Sequence, residues 1–516
     1  MRRMERPMSK GIMSNSIMNA AAGMLLLVTG FACSILVARL LGPEANGTIA
    51  FALWIGATGA LVAELGTGVL LLRLLPQLKA RGVDEAGRRG FAAYLALPVI
   101  ASTLLLVALY FGLAFKTPLL YGTDVTAGIV VLTAALLIIQ SIGSFSKNFL
   151  IGEQRVGTFF RITALSSLLQ MTFVIAGAAF YGIDGALFGY IAGQCVQFLY
   201  TLSLFGVRRD NAGYRRRYLL ATSAVLFFEY VVSAIFLSRP ELFFLQHFRS
   251  LGEVGYYAVA LSLANLALQL PVQLTGSLLP YYAERREASG GTVHVAVFDG
   301  VVRSFAYITF PLCFGLAAIA HPLVTAVYGA PFAEAGLIVA ILAAGSPAYV
   351  LGQLVTQYLY SMDRVKIRLV ASGIGATLMV IGCLLVVPTW GGAGAATVRG
   401  VVFAVIAVLL LTGVGRGAMS AQLPGVLIKV ALAGAGCGLA AWPVAEEIGG
   451  FAGVVAGILA GAIAYAALLR LLRAVPPEDG AVIDGMLKSL PMKPGRIARR
   501  LLAFVVPMPA AQPAGE

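Results

Sequence analysis

Fourteen stretches of this chain are long and apolar enough to cross a bilayer, and no other feature limits its fold as tightly. A crossing helix needs roughly 20 apolar residues. Such runs fall near 13–40, 47–72, 91–115, 125–146, 158–180, 185–207, 218–246, 255–280, 300–320, 335–360, 367–388, 392–414, 424–442 and 449–470. Lipid offers no partner to an unpaired backbone group, so each run must be a helix or a strand of a closed barrel. The ten-residue alternation of a barrel strand is absent. The expected fold class is an all-α polytopic membrane protein. Only 12% of residues are charged, half the roughly 25% of a soluble domain.

Lysine and arginine set the expected orientation. With the N-terminus in the cytoplasm, 32 of the 37 fall in cytoplasmic segments; Arg39, Lys116, Arg239, Arg249 and Arg399 are the exceptions. Both termini are therefore expected to be cytoplasmic. The same bias accounts for the net charge of +14 without nucleic acid. Cys33, Cys195, Cys313, Cys383 and Cys437 all lie in apolar runs and read as small core residues.

The chain also repeats itself. Pro43-Glu44-Ala45-Asn46-Gly47-Thr48-Ile49-Ala50-Phe51-Ala52 reads against Leu251-Gly252-Glu253-Val254-Gly255-Tyr256-Tyr257-Ala258-Val259-Ala260, an offset of 208. Gly152-Glu153-Gln154-Arg155-Val156 reads against Ser361-Met362-Asp363-Arg364-Val365, and Tyr181-Gly182 against Trp390-Gly391, both at 209. Matches in one order at one spacing argue for a duplicated unit. The expected division is a tail, 1–12; an N-lobe, 13–208; a C-lobe, 209–416; two further helices, 417–472; and a basic cytoplasmic tail, 473–516. Six spans per lobe return the chain to its starting side, so the two lobes should share one orientation. The stretch from Arg496 to Val506 reads as an interfacial helix or a solvated tail.

No phosphate-binding loop, His-Glu-x-x-His motif or paired nucleophile and base occurs, so an enzyme is the weaker class and no cofactor is expected. Charges inside spans are costly and mark function. Glu229 and Glu64 lie in the inner parts of the seventh and second spans, and Arg399 lies eight residues into the twelfth. The repeat extends the seventh span to 223–248 and so places Arg239, Pro240 and Glu241 within it, with a kink at Pro240. Arg239, Arg399, Glu229, Glu241 and Glu64 are the candidate cavity residues. Arg161 and Arg303 are expected to snorkel, and Glu64 could serve as the partner of an arginine. Gly453, Gly457 and Gly461 suit close helix packing or a dimer face.

These residues resemble those of the multidrug/oligosaccharidyl-lipid/polysaccharide (MOP) flippase superfamily, and most of all its polysaccharide-flippase (Wzx-type) branch. The resemblance rests on Gly47-Thr48-Ile49-Ala50-Phe51-Ala52, on Ala63-Glu64-Leu65-Gly66 before Arg73, and on Glu241 upstream of Val254-Gly255-Tyr256-Tyr257-Ala258. Tyr328-Gly329 with Phe332 adds to it. It implies a V-shaped pair of lobes that carries an undecaprenyl-diphosphate-linked oligosaccharide across the bacterial inner membrane by alternating access. Arginine suits a diphosphate, so Arg239 and Arg399 would serve one cationic site, with the carboxylates pairing them or carrying a coupling proton. H⁺ or Na⁺ would be the coupling ion, and a polysaccharide polymerase and export machinery the partners. A cation-coupled multidrug exporter and, further off, a membrane glycan polymerase or ligase are the alternatives.

Overall fold

The computed structural model describes residues 6–116, 126–275, 278–415, 417–480, 484 and 506. Every regular element among them is helical. α1 (Arg6–Ala63) holds the first two spans and turns at Gly42, whose φ of 82° lies outside the helical region. α2 (Thr67–Ala80) follows a tight turn, then α3 (Glu85–Lys116) and α4 (Ala127–Gly152). α5 (Val156–Leu202) holds the fifth and sixth spans. Its 47 residues would run about 70 Å as one helix, over twice the hydrocarbon thickness, and it turns instead at Gly182.

The seventh span is broken into α6 (Arg216–Ser233), a π-helical turn (Ala234–Ser238) and α7 (Glu241–Phe248). α8 (Leu251–Thr275), α9 (Leu278–Ala288), α10 (Val295–Ala318), α11 (Ala320–Tyr328) and α12 (Ala335–Ser361) follow. α13 (Val365–Val414) holds the eleventh and twelfth spans and turns at Gly391, and α14 (Leu423–Ile448) and α15 (Gly450–Leu471) close the bundle. Among the described residues, ten helices meet the length and apolarity of a crossing. Three of them are double and the broken seventh span adds one, which matches the fourteen expected crossings.

The backbone carries the duplication in its least regular places. Gly182 has φ 60° and ψ −133°, and Gly391 has φ 52° and ψ −135°. Gln154 and Asp363 both take positive φ, 61° and 60°, just before α5 and α13 begin. These pairs stand 209 residues apart, as the sequence match requires.

The chain forms two compact units: residues up to Ala258 with Cys383–Gly391, and Val259–Gly382 with the chain from Gly392. In the first, Leu70, Leu74, Phe91, Phe145, Phe149 and Phe159 form a buried core between α2, α3, α4 and α5. The first unit also contains the crossing of the repeated motifs. A β-carbon on Gly47 would stand 1.7 Å from Leu251 O, and one on Gly255 would stand 2.1 Å from Pro43 O. The two copies meet reciprocally through their glycines, and Asn46 Nδ2 donates to Gly255 O at 3.3 Å.

In the second unit, α10 anchors both segments that flank the last two spans. Asp299 is buried and accepts from Ser420 N at 3.2 Å, before α14. One turn on, Arg303 grips Asp479 through two bonds of 2.7 Å, and Tyr307 donates to the same carboxylate at 2.7 Å. Arg303 is thus held, half-buried, against a carboxylate supplied by the segment after α15, a partner that lies 176 residues away in sequence. The α15 glycines are likewise used within the chain. β-carbons on Gly453, Gly457 and Gly461 would stand 2.5–3.1 Å from α14 backbone oxygens, so this face packs α14 and leaves no dimer face. The expected interfacial helix from Arg496 lies outside the described residues.

Candidate functional site

Arg239 reaches its position through a local failure of helix geometry. Pro240 supplies no N–H, so the ladder cannot pass through it unbroken. The chain widens into a π-helical turn over Ala234–Ser238 and restarts as α7 at Glu241. Wide turns of this kind recur at functional sites. Arg239, at the break, lines a cavity of about 340 Å³ within the first unit. The other walls come from the second, fourth and sixth spans, including Trp54, Thr58, Gln140, Tyr190 and Gln194. Neither glutamine has a side-chain hydrogen bond among the described residues, and both are half-buried. The buried Trp54 Nε1 has no hydrogen-bond partner among them either. The sequence analysis did not single out Gln140, Trp54 or Gln194 as a site, since nothing in one dimension shows that they converge.

Arg399 is half-buried and lines a smaller cavity, about 60 Å³, within the second unit. Its guanidinium lies over the Phe403 ring at 4.9 Å, and Phe403 meets Tyr349 edge-on at 4.9 Å. Asn265 and Ser346 complete the polar lining. The two arginines thus line two cavities, one in each unit.

The carboxylates fall elsewhere. Glu241 is fully buried as the first residue of α7, the helix end that favours negative charge. Glu64 stands not inside the second span but just past its end, at a turn where Leu65 and Gly66 take positive φ, 49° and 74°. Its carboxylate accepts from Ser144 Oγ at 2.6 Å and from Asn148 Nδ2 at 3.4 Å. Its hydrogen-bond partners are thus a hydroxyl and an amide on α4, not an arginine. The Glu229 side chain lies outside the described residues, though its backbone is in α6.

These features define a class: a helical membrane protein of duplicated design, with a polar, arginine-bearing cavity inside a membrane-spanning unit. The chain belongs to the polysaccharide biosynthesis protein family, whose family model matches residues 36–337, and its fold is that of the MOP superfamily. It is similar to the solved lipid II flippase MurJ in its inward closed conformation, with 16% identity and a TM-score of 0.67 over 88% of this chain and 98% of that one. A multidrug resistance MATE family transporter of the MOP superfamily, inward-facing, gives 15% and 0.57 over 77% and 97%. A MOP superfamily transporter from Pyrococcus furiosus gives 16% and 0.51 over 80% and 96%. No curated protein matches the chain.

Proposed function

We propose that this chain is a Wzx-type flippase: it moves an undecaprenyl-diphosphate-linked oligosaccharide across the bacterial inner membrane by alternating access, for export of a surface polysaccharide. One observation carries the reading. A cavity of about 340 Å³ among membrane-spanning helices combines an arginine with glutamine, threonine and tryptophan, a lining that suits an anionic, hydroxyl-rich cargo better than a lipophilic cation. Arg239 offers a planar fork to a diphosphate, and transfer of that anion through lipid alone would be costly. Arg399 adds a second cation. Glu229, Glu241 and Glu64 are proposed to balance these charges or to carry a coupling H⁺ or Na⁺. The lobes 13–208 and 209–416 are the proposed moving halves, both termini are proposed to be cytoplasmic, and the polysaccharide polymerase and export machinery are proposed partners.

The test is translocation in proteoliposomes of the lipid-linked oligosaccharide that accumulates in cells lacking this chain. Arg239→Ala is expected to abolish transport at normal insertion, and Arg239→Lys to restore it in part, because an ammonium lacks the fork. Normal transport by Arg239→Ala would refute the anion site and favour the cationic-drug reading.

A further inference from the structure

The duplication supplies an internal control for the first cavity, because the second repeat builds the same cavity from different side chains. Leu53 and Ala57 of the first cavity correspond at 208 to Leu261 and Asn265 of the second. Gln140, Tyr190 and Gln194 correspond at 209 to Tyr349, Arg399 and Phe403. These equivalent positions thus help to line about 340 Å³ in one unit and about 60 Å³ in the other. Ligand cavities run from roughly 300 Å³ upward, and the smaller one falls well short of that.

Two differences account for the contrast. Spans ten and twelve cross at Gly345 and Gly400, where a β-carbon on Gly345 would stand 2.9 Å from Gly400 Cα. The first repeat has the larger Leu136 and Ile191 at those positions. The ring pair Tyr349 and Phe403 then fills what room remains, where the first repeat has two glutamines.

We infer that the first cavity is the sugar-selecting site of the cargo, with Gln140, Gln194 and Trp54 as its specificity-determining residues, and that the second cavity takes no sugar. The chemistry fits a carbohydrate. Each glutamine amide offers donor and acceptor to a pair of hydroxyls, and neither has a side-chain hydrogen bond among the described residues. Trp54, part of the same wall, offers an apolar ring surface to a sugar. Arg239 at the rim of the same cavity suits the phosphate that joins the sugar to its lipid. This rests on the flippase reading and assigns the sugar and the diphosphate to the first compact unit.

Trp54 allows a direct test, because the only other tryptophans are Trp390 and Trp442, both exposed. In a Trp390→Phe, Trp442→Phe background, the oligosaccharide freed from the accumulated lipid-linked cargo by mild acid is expected to shift Trp54 emission saturably. Gln140→Tyr with Gln194→Phe, which installs the second repeat's residues, is expected to abolish the shift and to raise the apparent KM for the lipid-linked cargo at least about tenfold, the loss of one to two good hydrogen bonds. Gln140→Asn with Gln194→Asn, which shortens the amides without filling the cavity, should give an intermediate shift and guards against a folding defect. An absent shift in the wild-type cavity, or wild-type KM in the filled variant, would overturn the sugar site while leaving transport itself intact. Failure of the unmutated protein to move the lipid-linked cargo would overturn the flippase reading instead.

Discussion

Gly47→Ala tests the crossing of the two repeats with a single methyl group. The added carbon would stand 1.7 Å from Leu251 O, 2.7 Å from Leu251 C and 2.9 Å from Gly255 N. To reach the 3.4 Å of ordinary contact, the backbones must part by about 1.7 Å. All three atoms are backbone, so no side chain can swing aside. Overpacking of this kind costs about 1–3 kcal/mol. Parting also strains the Asn46–Gly255 hydrogen bond, 3.3 Å long and buried, a further loss of about 1 kcal/mol. Alanine returns up to about 1 kcal/mol through its better helix propensity. The net expectation is a destabilisation of about 1–3 kcal/mol. Gly30→Ala is the matched control, because Gly30 lies in the same helix with nothing within 4 Å of an added β-carbon. It keeps the propensity gain and meets no clash, so it should be neutral or slightly stabilising. Denaturation of the purified protein in detergent, followed by loss of the monodisperse peak, measures both. If Gly47→Ala is as stable as Gly30→Ala, the close approach of the repeated motifs is not as described.

The α10 clasp makes a second prediction: Asp479→Ala leaves the half-buried Arg303 and the Tyr307 hydroxyl without their shared acceptor and should cost about 1–3 kcal/mol, read as a lower unfolding midpoint and faster tryptic cleavage at Arg473, with Asp479→Asn milder because it can still accept from Tyr307. Glu64→Leu strands the donors Ser144 and Asn148 and should cost about 1–3 kcal/mol. Glu64→Gln, which keeps an acceptor but not the charge, should insert normally and transport less than the wild type; undiminished transport would leave Glu64 a structural partner of α4 only. Reporter fusions after Lys10 and after Arg473 should both read cytoplasmic, and an extracytoplasmic signal from either would overturn the orientation drawn from the 32-to-5 asymmetry of lysine and arginine.

The parts of the fold legible in the sequence are those that lipid dictates. A helix must satisfy its own backbone in the bilayer, so span number and approximate limits follow from apolar length alone. The interruption at Arg239–Pro240 was legible only through the repeat, which pulled both residues into the seventh span when hydropathy ended it earlier. Glu64 was misplaced by the same reliance on hydropathy: Leu65 and Gly66 are apolar or neutral, yet their left-handed backbone ends the second span just before them. The partner of Arg303 is not legible in the sequence, because Asp479 arrives from a polar tail whose docking leaves no periodic mark.

The cavities were not legible for a different reason. A wall residue such as Gln194 differs from a packing residue only in what stands opposite, and that is set by how far apart two helices are held. Spans ten and twelve approach closely at Gly345 and Gly400, where the first repeat has the larger Leu136 and Ile191. Duplication preserved the turns at Gly182 and Gly391 to within 8° in φ and 2° in ψ, while the side chains facing each cavity went separate ways. Backbone polar groups have no alternative partners in lipid, so the turns could not drift without exposing them. Side chains facing an internal cavity are free of that constraint, and unsatisfied amides are tolerable there only where water or a ligand can meet them. Gln140 and Gln194, without a side-chain hydrogen bond among the described residues, are therefore the wall groups that favour the proposed cargo site beside Arg239.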